Sequence, residues 1–127
     1  MHAETSDALT PEPVPELVDS HTHLDFPDFD GQHEAIVARA AAAGGTRRVT
    51  ICTRLRLEPQ VRALAERFPG VFYAAGTHPM SAAEEPMATV AELVALARDP
   101  RMVGIGETGL DYHYTAESAA VQQDSLR

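Results

Sequence analysis

The 127-residue sequence contains no lysine, a single cysteine, few aromatic residues (6%) and no long apolar run. Each absence excludes something. Without lysine, and with a net charge of −9, the chain has no basic footprint for nonspecific binding to nucleic acid or to a membrane surface. The single Cys52 excludes an intramolecular disulfide, and its place in an apolar run makes it core filler in a reducing compartment. No segment approaches the roughly 20 apolar residues of a membrane span. The opening MHAETSDALTPEPVPE has neither the basic region nor the apolar stretch of a signal peptide. These absences predict a soluble, cytoplasmic protein with no membrane partner.

What is present fits an ordinary globular domain: 44% apolar and 23% charged residues. The length still falls well short of the roughly 250 residues of a closed eight-stranded α/β barrel. Charge is unevenly spread. The first 34 residues hold nine carboxylates and no arginine, while the rest of the chain holds ten of each. Residues 1–15, rich in Pro, Glu and small polar groups, are expected to form a disordered acidic tail. Any phosphate substrate would need metal ions to offset such a field.

From Glu16 onward, apolar runs and helical patterns alternate. Strands are expected at LVDSHTHL (17–24), RRVTICT (47–53), VFYAAGTHP (71–79) and MVGIGETG (102–109). Helices are expected at 32–45, closed by Gly44-Gly45, then at 57–68, 89–98 and 116–127. Val61, Leu64, Ala65 and Phe68 fall on one face of the second helix, and Val90, Leu93, Val94 and Ala97 on one face of the third. Four such repeats predict βαβ units and a parallel α/β sheet, either a barrel or an open doubly wound sheet. His21, His23, His78 and Glu107 all fall at the C-terminal ends of strands, where parallel α/β folds place their active sites.

The sharpest motif is Asp19-Ser20-His21-Thr22-His23. Residues two apart share one face of a strand, so Asp19, His21 and His23 are expected to project together. Two imidazoles so placed either bind one divalent ion, with Asp19 behind them, or stand as solvated loop histidines. Glu107 ends a strand rich in glycine (Gly104, Gly106, Gly109), which lets backbone approach closely. It is either salt-bridged or a hard oxygen ligand able to bridge two cations. His78 could orient a phosphate, act as an acid or cap its strand. Asp111 and His113 read equally as loop hydrogen-bonders or as direct participants, and His33 reads as surface.

Three stretches in register, VDSHTHLDF (18–26), GTHP (76–79) and GETGLDYHY (106–114), resemble the TatD family of metal-dependent hydrolases, within the amidohydrolase-like barrel superfamily. The resemblance covers about residues 16–127. It implies a TIM-type (β/α)8 barrel with two divalent metal ions (Zn, Mn or Mg) at its C-terminal face. The activity it implies is phosphodiester hydrolysis, with DNA a frequent substrate. His21 and His23 would bind one metal, Glu107 would bridge it to a second and act catalytically, and His78 would lie near the substrate phosphate.

The family also uses two further histidines and an aspartate from later strands, and no histidine follows His113 here. The chain therefore reads as the N-terminal half of such a barrel, about four βα units truncated in the fourth helix, with an incomplete site. One alternative is a noncatalytic half-barrel that associates with itself or a partner chain through its open sheet edges. Another is a different metal-dependent phosphoesterase or amidohydrolase, because such barrels also begin with H-x-H.

Overall fold

The computed structural model describes residues 12–127. Most of the expected tail, including His2, lies outside the described residues. The described part alternates strand and helix: β1 Leu17–Thr22, α1 His33–Ala42, β2 Gly45–Ile51, α2 Glu58–Arg67, β3 Val71–Ala75, α3 Val90–Leu96, β4 Met102–Ile105 and α4 Ala119–Leu126. Short 3-10 turns lie at Pro27–Phe29, Leu55–Leu57, Pro79–Ser81 and Ala116–Ser118. The four strands form one sheet in the order β1-β2-β3-β4, every pair parallel. The expected α/β architecture of four βα units in barrel-type order is what the chain forms.

The element ends have local causes. Gly44 closes α1 at φ +93, and a Cβ there would meet the Pro15 carbonyl oxygen at 2.3 Å, so only glycine allows this crossing. Proline in the first turn starts α2, and Pro69-Gly70 follows its end. Thr89 and Glu92 make a reciprocal capping box at the start of α3.

Alternation along β3 sends its side chains to two different environments. Val71, Tyr73 and Ala75 are fully buried with Val61, Leu64 and Ala65 of α2, Cys52 and Met102. Ile36, Leu55, Phe68 and Leu96 pack around this cluster. Burying each such large apolar side chain contributes about 1.5–3 kcal/mol. Tyr73 donates its hydroxyl to Glu58 at 2.9 Å, which gives that buried carboxylate a partner beside Arg62. The other face of the sheet is open: Val18, Val49, Phe72 and Val103 line a shallow cavity together with Arg47 and Arg48.

The apolar stripe of α3 lies outside the core: Val90, Leu93, Val94 and Ala97 form an open groove with Ile105 of β4, and Leu96 reaches the central cluster. One expectation changes. The β1–β2 pairing shifts register between Asp19 and Thr22, which breaks the expected alternation. Asp19 therefore lines a cavity against α1 with Thr22, Leu24, Ile36 and Ala40.

Candidate metal centre

The ends of β1 and β4, the two outer strands, meet over β2 and β3. Each end is tied to the middle of the sheet: His23 Nδ1 lies 3.1 Å from the Ile51 carbonyl, and Cys52 donates its N–H to Ala74 at 2.9 Å while its carbonyl accepts the Glu107 N–H at 3.1 Å. The neighbouring Thr53 carbonyl accepts the His78 N–H at 2.9 Å. Gly76 makes the approach possible, since a Cβ there would come within 3.0 Å of the Gly106 backbone. The tight glycine is thus Gly76, whereas a Cβ on Gly104 would make only ordinary contact and one on Gly109 would meet open space.

These links bring His21, His23 and Glu107 together. The two imidazole Nε2 atoms are 3.3 Å apart, and Glu107 Oε2 lies 3.4 Å from that of His21 and 3.9 Å from that of His23. The circle through these three atoms has a radius of about 2.1 Å, which matches Zn–N and Zn–O ligand distances of about 2.0–2.2 Å. Two lone-pair nitrogens at 3.3 Å with a carboxylate oxygen beside them repel unless a proton or a cation lies among them. The donor set therefore fits one divalent ion.

Hydrogen bonds assign the ring protons. His23 Nδ1 lies 3.1 Å from the Ile51 carbonyl, which can only accept, so Nδ1 carries the proton and Nε2 offers its lone pair to the cluster. His78 is the reverse. Its Nδ1 accepts the Met80 N–H at 3.1 Å, so in the neutral ring Nε2 carries the proton, and that nitrogen lies 3.4 Å from Glu107 Oε1. His78 is thus presented as a donor, on the opposite carboxylate oxygen from the other two histidines.

The remaining expected residues separate. Asp19 does not support the imidazoles: its Oδ1 accepts the backbone N–H of His21 at 3.1 Å, because the register shift turns its side chain toward α1. The partner that orients His23 is instead the Ile51 carbonyl, which no side-chain motif could reveal. His33 ties α1 to the Leu24 carbonyl at 2.7 Å. His113 and Asp111 belong to the loop after β4, where Asp111 Oδ1 accepts the N–H groups of His113 and Tyr114 at 2.9 and 3.0 Å. Those bonds, that of Tyr114 first, hold the Asp111 carboxyl below its ordinary value, aided by His113 and His78.

Asp25 lies two residues after His23, inside the first of the three stretches. Its Oδ1 is buried without a hydrogen-bond partner. Burial raises its pKa, offset by its own backbone amide and by His23. Burial likewise pushes the Cys52 thiol up to about 11, and Asp25 and Glu58 add to that rise.

Comparison with known proteins gives the family. The family model described as TatD related DNase matches residues 18–127. The chain belongs to the TatD family. An uncharacterized metal-dependent hydrolase of Escherichia coli K12, YcfH, is 36% identical over 113 residues, covering 87% of this chain and 42% of the relative. A protein named 3'-5' ssDNA/RNA exonuclease TatD, from Enterobacter lignolyticus, is 34% identical and covers 84% of this chain and 41% of its own length. The crystal structure of YjjV, a TatD homolog from E. coli K12, superposes with a TM-score of 0.77 at 34% identity, over 87% of this chain and 43% of that one. The chain thus spans about two fifths of the length of these TatD relatives. No helix among its described residues is long and apolar enough to cross a membrane.

Proposed function

We propose that this chain carries the first part of a TatD-type metal site that hydrolyses phosphodiester bonds, with DNA or another nucleic acid as substrate. The observation that carries the reading is the convergence of His21, His23 and Glu107 from opposite edges of the sheet on one ion-sized position. A divalent ion held there would act as a Lewis acid and lower the pKa of a bound water. Nitrogen and oxygen donors suit Zn, Mn or a mixed site with Mg. Glu107 Oε1 is the chain's available contribution to a second ion, so Glu107 would bridge the pair. His78, its Nε2 proton directed into the site, would donate to a phosphate oxygen or to the leaving group. The missing histidines and aspartate would come from a further segment, as in a longer barrel, and the buried free thiol of Cys52 fits the reducing cytoplasm.

The test is calorimetric titration of the full chain with Mn2+ and Zn2+, beside metal-dependent cleavage of a single-stranded oligonucleotide. His21→Ala/His23→Ala should lower metal affinity by more than the roughly 10–100-fold expected when an outer hydrogen-bond partner is lost. Equal affinity in wild type and variant would overturn the site.

A second reading, a noncatalytic half-barrel that self-associates, is favoured by Val18 on β1 and Val103 on β4, both more than half exposed on open edges. Sedimentation would show a concentration-dependent dimer if it holds and a stable monomer if it fails.

A further inference from the structure

Only three of the seven aromatic side chains (four Phe, three Tyr) are exposed: Phe26 at 40%, Tyr112 at 49% and Tyr114 at 72%. All three sit in the loops after β1 and β4, the strands that bring His21, His23 and Glu107 together. Phe26 stacks on the His23 ring, centroids 4.6 Å apart and planes 14° from parallel. Tyr112 and Tyr114 follow Glu107 by five and seven residues in the loop that leaves β4.

That loop is held in one shape although its rings are open. Gln122, fully buried, accepts the Asp111 N–H at 2.6 Å and donates to the Asp111 and Thr115 carbonyls at 2.9 and 2.8 Å. Asp111 in turn fixes the amides of His113 and Tyr114, and Gln123 donates to the Tyr112 hydroxyl at 2.8 Å. Exposed rings on a fixed loop lose little entropy when something flat settles on them.

The charges narrow what that is. The chain has no lysine, and the arginines that follow β2 at this end of the sheet, Arg54 and Arg56, are taken up by Glu84 and Glu85 at 2.9–3.1 Å. Among the described residues a phosphate backbone therefore finds few free cations beside the site other than a bound metal ion, and the bases are the further source of affinity for a nucleic acid. Base–aromatic stacking works with any sequence but needs an uncovered base face, which a duplex does not offer.

We propose that Tyr112 and Tyr114, with Phe26, form a base-stacking subsite that holds unpaired nucleobases of a single strand beside the metal centre. The inference rests on the phosphodiester reading above and names the part of the substrate that the chain grips. Stacking supplies the affinity that a basic groove supplies elsewhere, and it selects single strands over duplexes.

The test is fluorescence titration of a single-stranded tetranucleotide carrying 2-aminopurine and hydrolysis-resistant phosphorothioate linkages, with the full chain and Mn2+. Quenching should saturate for the wild type, and Tyr112→Leu/Tyr114→Leu should weaken binding by at least about 5- to 150-fold, the range spanned by loss of a single base–aromatic stack. Tyr112→Phe/Tyr114→Phe should keep binding within about twofold, because the ring faces remain. An abasic tetranucleotide that competes as well as the natural one, or a leucine variant that binds like wild type, would overturn the subsite. Absence of quenching together with a dimer in sedimentation would overturn it too, by showing that a second copy covers the loop. Calorimetry with Mn2+ alone keeps the two readings apart: Mn2+ bound without base quenching refutes the stacking subsite, and no Mn2+ binding refutes the metal site.

Discussion

Val71 and Tyr73 of β3 are shut away under α2, whereas Val18 of β1 and Val103 and Ile105 of β4 stand open to solvent. The β2–α2–β3 centre is packed and its two flanks are not. Yet the flanks carry the candidate metal ligands, and the centre contributes the Ile51 and Cys52 carbonyls that aim them. Packing and chemistry are thus divided between regions: the middle of the sheet sets the geometry, and the edges present the reactive groups.

The sharpest way to break this comparison is to empty the centre. Leu64→Ala should destabilise the chain by about 2–5 kcal/mol in urea denaturation, while Val94→Ala in the open α3 groove should stay within about 0.5 kcal/mol. Equal costs would mean that the groove is as well packed as the core. Gly76→Ala forces a Cβ against the Gly106 backbone and should cost about 1–3 kcal/mol. Because Glu107 follows Gly106, calorimetry should show metal affinity falling in that variant as well; unchanged affinity would show that the two strand ends are independent. Thr89→Ala removes the capping box of α3 on a flank and should cost about 1 kcal/mol by thermal unfolding.

The smallest effect expected is on the acid side. The Asp111 carboxyl is held below its ordinary value, so its contribution is complete above a pH of about 4 and is lost as pH falls below that. Amide exchange at Tyr114 should therefore rise in acid before the central strands respond, and Asp111→Asn should remove that pH dependence. Simultaneous loosening of loop and core would erase the distinction between flank and centre.

The strand and helix order was legible because the elements are short and most of them are set off by Gly or Pro. The C-terminal placement of His21, His23, His78 and Glu107 followed from where apolar runs end. Asp19 was misplaced because period-2 alternation assumes an unbroken strand, and the register shift before Thr22 is a tertiary event. The α3 stripe was legible as a single face, but an apolar face shows that a helix can be covered, not that it is. The opposite tautomers of His23 and His78 were beyond any motif, since backbone atoms of Ile51 and Met80 decide them.

The order of strands across the sheet is the order of strands along the chain. During synthesis each new strand finds its neighbour already made, so the sheet can grow from one side without waiting for a distant segment. The candidate ion-binding cluster follows a different schedule: His21 and His23 emerge first and Glu107 more than eighty residues later. A nascent chain therefore assembles most of its scaffold before it can grip a cation, and premature metal capture by the paired histidines is limited to two donors until β4 docks.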